Sequence, residues 1–169
     1  MSGPLHQAKH PVTALAGSYG HPLHPILVTV PIGAWVTSLV FDLASRIVDD
    51  PGFLNRGSLW LIAVGVIGAL AAAMLGFLDF LSIPSGTAAA RTAIAHMSLV
   101  LAATTAYAVA WAWRATSGDL SGPVGIWQIV LSAASLAALA AAGFLGGKLA
   151  YRYGVRVADE TTQAEGFGS

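Results

Sequence analysis

Residues 59–81 read LWLIAVGVIGALAAAMLGFLDFL, a stretch of 23 residues in which Asp79 is the one charged side chain. At ~1.5 Å per residue, a helix of this length covers the ~30 Å hydrocarbon core of a bilayer. Lipid offers no hydrogen-bond partner to open backbone groups, so a segment that crosses it must be helical. We therefore interpret this stretch as a transmembrane helix.

Three more apolar runs of similar length surround it, at residues 26–48, 93–113 and 125–147. Short turn sequences rich in Gly, Pro, Ser and Asp separate the four runs, so helices that follow each other should be antiparallel neighbours. The predicted fold is all-α, an integral membrane four-helix up-and-down bundle over residues 21–157. Residues 1–20 are predicted to be a polar N-terminal segment and residues 158–169 a disordered tail. We find no convincing repeat between the two halves of the sequence.

The composition excludes several classes of protein. Charged residues make up only 9% of the chain, eight basic residues balance eight acidic ones, and no cysteine is present. The missing basic surplus argues against a nucleic-acid binder, and the missing cysteines exclude disulfides, thiolate zinc sites and Cys-ligated iron–sulfur clusters. No Walker loop, nucleophile elbow or HExxH sequence indicates a catalytic site. An enzymatic activity of the chain on its own is therefore not indicated.

Lysine and arginine are distributed unevenly between the two predicted sides of the membrane. Five lie on the side of the termini and three on the other side. Because basic residues favour the cytoplasmic side, both termini are predicted to be cytoplasmic. The first span is expected to act as an uncleaved anchor, because the N-terminal segment lacks an apolar stretch long enough for a signal peptide.

The sequence contains few polar residues inside or beside the spans, and four of them should meet. An even number of crossings returns the start of the first span, the end of the second and the start of the third to one membrane face. The four residues are His21, His24, Asp79 and His96. Three imidazoles and a carboxylate suit a transition-metal ion, whereas His24 and His96 alone are enough for a haem b. The alternative is a structural hydrogen bond that locks neighbouring helices, from Asp79 either to His96 or to an arginine.

Two further features concern the first span. Pro31 lacks an N–H and should kink the helix. Asp42 lies near the end of that span, close by topology to Arg46 and Arg114, and we expect a structural ion pair with one of these arginines.

Several short motifs resemble a bacterial membrane protein family, the domain of unknown function 2231. They are His24-Pro25-Ile26-Leu27-Val28 with Pro31-Ile32-Gly33, then Gly76-Phe77-Leu78-Asp79, His96, and Gly146-Gly147 through Tyr151, Gly154 and Val155-Arg156-Val157. The resemblance covers about residues 21–157 and implies a four-helix protein of the bacterial inner membrane. Some members of the family continue into a Rieske-type iron–sulfur domain. That association implies membrane redox chemistry, although this chain has no cysteine for such a cluster.

Three functions remain open from the sequence. The first is a metal- or haem-binding membrane subunit, with an electron-transfer or other membrane complex as partner. The second is a structural anchor or assembly partner without a cofactor. The third is a small transporter or proton path in which Asp79 and His96 titrate. All three place the chain in the lipid bilayer, none involves nucleic acid, and a homo-oligomer is a further candidate.

Overall fold

The computed structural model describes residues 3–168, and the structure is 73% helical. Within that range the sole β-structure is an antiparallel pair of two-residue strands, β1 (Gly17–Ser18) and β2 (His21–Pro22). The predicted fold class is therefore confirmed. The helices are α1 (Pro4–Lys9), α2 (His24–Leu27), α3 (Thr29–Ala44), α4 (Gly52–Phe80), α5 (Ala88–Thr116), α6 (Ile126–Gly147) and α7 (Glu160–Ala164), with a π-helical turn at Lys148–Arg152 after α6.

Four helical segments are long and apolar enough to cross a membrane: His24–Ala44, Gly52–Phe80, Ala88–Thr116 and Ile126–Arg152. Two of them begin earlier than the hydropathy pattern predicts, because polar residues occupy their first turns. Asn55 and Ser58 in the first turns of α4 are buried against neighbouring segments. At the start of α5, the Thr87 hydroxyl accepts a hydrogen bond from the Ala90 N–H and caps the helix.

The first span is broken between α2 and α3. The break falls at Val28, three residues before Pro31, whose missing N–H leaves the carbonyl of Leu27 without its usual helical partner. The helix is thus interrupted beside Pro31, where a kink was predicted. His24 of α2 faces α4, because its Nδ1 lies 2.8 Å from the Ala72 carbonyl oxygen.

The bundle consists of two hairpins, α3 with α4 and α5 with α6, which make matching contacts. In the first hairpin the Trp35 indole N–H donates to the Ile62 carbonyl at 3.3 Å. In the second the Tyr107 hydroxyl donates to the Ser132 carbonyl at 3.1 Å. Tyr107 lies 72 positions after Trp35, and Ser132 lies 70 positions after Ile62.

The same two offsets relate the histidine contacts of the hairpins. His96 follows His24 by 72 positions, and its carbonyl partner Ala142 follows Ala72 by 70. The chain therefore contains an internal repeat with an approximate two-fold axis along the bundle, and the expectation of no repeat is wrong. Both hairpins begin on the same side of the membrane, so the axis runs parallel to the membrane normal.

The two chain termini close one end of this bundle, called here the histidine end because His24 and His96 lie near it. Ala8 of α1 packs with Ile83, Ala90, Ala93 and Val155 in one buried cluster. The Arg156 N–H donates to the Ala8 carbonyl, and the Lys9 ammonium donates to the Ala158 carbonyl. The opposite end, where Asp42 and Arg114 lie, is called the ion-pair end. Residues 3–23 thus pack against the bundle. The C-terminal segment, which was predicted to be disordered, contains the short helix α7.

Candidate functional site

Three pairs of side chains meet across the two-fold axis, at successive depths. His24 and His96 form the layer nearest the termini, with ring centres 6.4 Å apart and an interplanar angle of 88°. Each later layer joins one residue of α3 to its equivalent in α5.

Both imidazoles of the first layer are held in the same way. His24 Nδ1 lies 2.8 Å from the Ala72 carbonyl oxygen, and His96 Nδ1 lies 2.8 Å from that of Ala142. A carbonyl oxygen only accepts, so each Nδ1 carries a proton, and in the neutral imidazole each Nε2 has the free lone pair. Within residues 3–168 neither Nε2 makes a hydrogen bond.

A glycine one turn after each of these carbonyls makes room for the ring. A Cβ at Gly76 would lie 2.9 Å from His24 Cε1, and a Cβ at Gly146 would lie 3.3 Å from His96 Cε1. Any larger residue would push the imidazole away from its carbonyl. The small-residue face of α4 therefore positions a histidine, as well as packing two helices.

His96 lies deeper than the predicted spans place it. Helix α5 begins at Ala88, so His96 is eight residues inside the helix, or roughly 12 Å along its axis. His96 and His24 are both half-buried. The imidazole pair is thus inside the bundle rather than at its rim.

The second layer is an aromatic stack. The rings of Trp35 and Tyr107 lie 4.1 Å apart, centre to centre, at an interplanar angle of 11°, and both side chains are fully buried. A Cβ at Gly65 would overlap the Trp35 indole, whereas the equivalent position beside the smaller Tyr107 is Ser135. The two stacked rings fill the middle of the bundle, between the imidazole layer and the ion pair.

The third layer is a buried ion pair. Arg114 Nη1 donates to Asp42 Oδ1 at 2.7 Å and Nη2 donates to Asp42 Oδ2 at 2.6 Å, with both side chains excluded from solvent. Ser58 and Ser132 complete the network with hydrogen bonds to both charged groups. The predicted ion pair of Asp42 is confirmed, and of its two candidate partners it is Arg114 that forms the pair, while Arg46 donates to the Val124 carbonyl.

Asp79 is bound by Arg156, which lies within a family motif in the sequence but was not predicted as the partner of Asp79. Arg156 Nε donates to Asp79 Oδ1 at 2.6 Å, and Nη2 donates to the carbonyls of Ala16 and Gly17. The expected bond between Asp79 and His96 is therefore wrong, and an Asp–Arg lock is present, made by Arg156. Arg156 has a positive φ of 60° and lies beyond the predicted end of the fourth span, so helix patterns alone do not place it.

The four predicted metal ligands do not form one cluster. Across residues 3–168, no group of three or more His, Cys, Asp and Glu side chains is placed to hold a metal ion. His21 is exposed and bonds the Tyr19 carbonyl, and Asp79 is committed to Arg156. The expected convergence of His21, His24, Asp79 and His96 is wrong as a four-residue set. The structure brings together only the imidazoles of His24 and His96.

Comparison with known proteins gives one match. A family model described as predicted membrane protein (DUF2231) matches residues 20–159. No curated protein and no solved structure matches the chain.

Proposed function

Because the chain belongs to the DUF2231 family of predicted membrane proteins, we propose that it is a multi-pass membrane subunit with a redox metal centre bound between His24 and His96. Haem b is the favoured centre and a single transition-metal ion the alternative. The observation that carries the proposal is the symmetric presentation of two imidazoles on the two-fold axis.

The state of the imidazoles suits metal binding. A histidine ligand commonly donates its second ring N–H to a backbone carbonyl, which fixes the tautomer and raises the basicity of the ligating nitrogen. His24 and His96 each make that bond through Nδ1 at 2.8 Å. The lone pair on each Nε2 is then available to a metal.

The distance between the rings suits one shared metal. A histidine nitrogen lies ~2.0–2.1 Å from the metal that it binds. The ring centres of His24 and His96 are 6.4 Å apart. The two imidazoles are therefore close enough that both would hold the same metal.

The number of ligands favours haem over a zinc-type site. A tetrahedral site in a protein needs three or four protein ligands, and among the described residues no third His, Cys, Asp or Glu joins the pair. A haem brings four nitrogens of its own, so the two imidazoles would be enough for the protein to hold it. It would supply one-electron transfer, while the role of His24 and His96 is to hold and orient it.

The symmetry of the bundle adds a further argument. Of the three layers across the axis, the aromatic layer pairs Trp with Tyr, and the charged layer pairs Asp with Arg. The imidazole layer alone has the same side chain, the same bond and the same glycine on both sides. This identity suits a single ligand held on the axis, whereas helix packing does not require it.

The cellular setting follows from the same proposal. A redox centre inside a membrane-spanning bundle would exchange electrons with other membrane components, so an electron-transfer complex is the proposed partner. We place it in the bacterial inner membrane with both termini in the cytoplasm, in agreement with the excess of Lys and Arg on that side.

The test is an absorption spectrum together with elemental analysis of the full-length protein, purified in detergent from cells supplied with iron and a haem precursor. We expect a Soret band with the spectrum of a six-coordinate haem, or else one equivalent of a transition metal. A colourless protein without bound metal, correctly folded by circular dichroism, would instead support an anchor or a proton path.

A further inference from the structure

A cavity of about 240 Å³ opens at the ion-pair end, between the start of α4 and the loop that joins α5 to α6. Its lining includes Asn55, Trp113, Ser117, Asp119, Trp127 and Gln128. It lies at the opposite end of the bundle from the imidazole pair. The proposed redox centre therefore does not explain it.

Asn55 contributes an acceptor that nothing in the described chain satisfies. Its side chain is 5% exposed, and its Nδ2 donates to the Gly122 carbonyl at 3.0 Å. This bond fixes the orientation of the amide, and Oδ1 is buried without a hydrogen-bond partner within residues 3–168. A buried acceptor left unpaired costs free energy, so a ligand that donates an N–H would satisfy it.

The lining of the cavity carries one charge, and it is negative. Asp119 is the one charged residue among the described lining residues, and hydrogen bonds from the Ser121 hydroxyl and N–H hold the pKa of its carboxyl below the ordinary value. At the start of α6, Gln128 Oε1 accepts from the N–H of the cap residue Gly125, so that N–H has a partner within the chain. The charged side chain that lines the cavity, Asp119, favours a cation.

Two tryptophans add surfaces that also attract cations. Trp113 and Trp127 line the cavity and are 46% and 71% exposed. The face of an indole ring attracts an ammonium group, and tryptophans near span ends lie at the level of the lipid headgroups.

We propose that this cavity binds a primary ammonium group, with Asn55 Oδ1 and the Asp119 carboxylate as acceptors and the two indoles beside it. A quaternary ammonium has no N–H for Asn55, so the site discriminates against it. The ammonium belongs either to a phospholipid headgroup of the ethanolamine type or to a soluble amine.

The first experiment is calorimetric titration of the full-length protein, in detergent micelles free of lipid, with ethanolamine hydrochloride. Tetramethylammonium chloride at the same ionic strength is the comparison. We expect saturable binding of ethanolamine, at least tenfold weaker binding of tetramethylammonium, and at least tenfold loss in Asp119→Asn. This substitution removes the charge but keeps the oxygen that Ser121 binds.

Matched variants distinguish ethanolamine binding in the cavity from binding elsewhere on the surface. Asp49→Asn removes an exposed carboxylate outside the cavity at the same end, and Trp60→Leu removes an indole as exposed as Trp127, at 72% against 71%. Both should bind ethanolamine as the unaltered protein does, whereas Trp127→Leu should bind it several-fold more weakly.

The second arm distinguishes the source of the ammonium. The protein is reconstituted in nanodiscs that contain equal amounts of phosphatidylethanolamine and phosphatidylcholine, and the lipid retained after extraction is identified by mass spectrometry. Retention of phosphatidylethanolamine that Asp119→Asn abolishes supports the lipid headgroup, and ethanolamine binding in micelles alone supports a soluble amine. Equal binding of quaternary and primary ammonium groups, or binding in neither arm, would overturn the proposal.

Discussion

His24 and His96 donate the same hydrogen bond from Nδ1, each at 2.8 Å, to the equivalent carbonyls of Ala72 and Ala142. The two bonds belong to different hairpins and are related by the approximate two-fold axis. The repeat thus places two identical, pre-oriented imidazoles side by side within a chain that has few other polar groups in its spans. The proposed metal centre depends on this relationship.

Glycine at position 76 should be required for the placement of the His24 ring. We expect Gly76→Ala to lower the free energy of unfolding by about 1–3 kcal/mol, because the new Cβ would lie 2.9 Å from Cε1 and the core must shift. Gly146→Ala, with 3.3 Å to His96, should cost less. The measurement is reversible unfolding in mixed micelles with increasing SDS.

Gly143 provides the matched control for this prediction. It lies on the same helix as Gly146 and is exposed, and a Cβ added there would meet no heavy atom within 4 Å. Gly143→Ala should stabilise the helix by about 0.5–1 kcal/mol through helix propensity. Equal effects of Gly76→Ala and Gly143→Ala would contradict the assignment of Gly76.

The Asp42–Arg114 pair should be a major contributor to stability. Removal of one partner of a buried pair leaves the other charge uncompensated and typically costs about 3–5 kcal/mol. We expect a loss of that size for Arg114→Met in the same unfolding assay. Arg46→Met should cost less than about 1 kcal/mol, because Arg46 is exposed and makes one hydrogen bond to a carbonyl. A similar cost for the two variants would show that the ion pair does not stabilise the bundle.

The C-terminal helix α7 should depend on pH. Asp159 caps it by accepting a hydrogen bond from the Thr162 N–H, and this bond holds the pKa of the Asp159 carboxyl below its ordinary value. A depressed pKa in the folded state means that the cap stabilises α7 fully above the unfolded-state pKa of about 3.9 and is lost as the pH falls through the lower folded-state pKa.

Hydrogen exchange at the Thr162 amide measures this loss. The protection factor, corrected for the intrinsic pH dependence of exchange, should fall as the pH is lowered from about 6 to about 3, a range that brackets the unfolded-state pKa from above and below. Asp159→Asn keeps a capping oxygen but does not titrate. The prediction is wrong if the Asn variant shows the same fall in protection.

Much of the fold was accessible from the sequence because hydropathy and turn residues report directly on membrane spans. The four spans and the Asp42–Arg114 pair follow from apolar length and from which helix ends meet. The repeat is hard to see in the sequence because most equivalent positions carry different side chains, and many of the identical ones are Ala, Leu or Gly, which are common throughout this chain. Trp35 and Tyr107 occupy equivalent positions but are different residues, and so are Asp42 and Arg114. The repeat becomes visible only in the structure, where equivalent side chains bond equivalent backbone carbonyls.

The error at Asp79 has a different physical origin. Arg156 reaches Asp79 from a segment after the π-helical turn at Lys148–Arg152, with a backbone conformation that non-glycine residues seldom adopt. No helical periodicity extends through such a segment, so spacing cannot place its side chains. The packing of residues 3–23 over the histidine end could not be predicted for the same reason, because this segment also lacks a long periodic helix.

The most direct test of the proposed centre is its occupancy in histidine variants of the full-length protein. His24→Ala, His96→Ala and the control His21→Ala are purified under identical conditions, and bound haem or metal is measured per chain. We predict one equivalent in the unaltered protein and in His21→Ala, and almost none in either of the other variants, because both imidazoles bind one metal. Full occupancy in His24→Ala or His96→Ala, or half occupancy in each, would contradict a single shared centre.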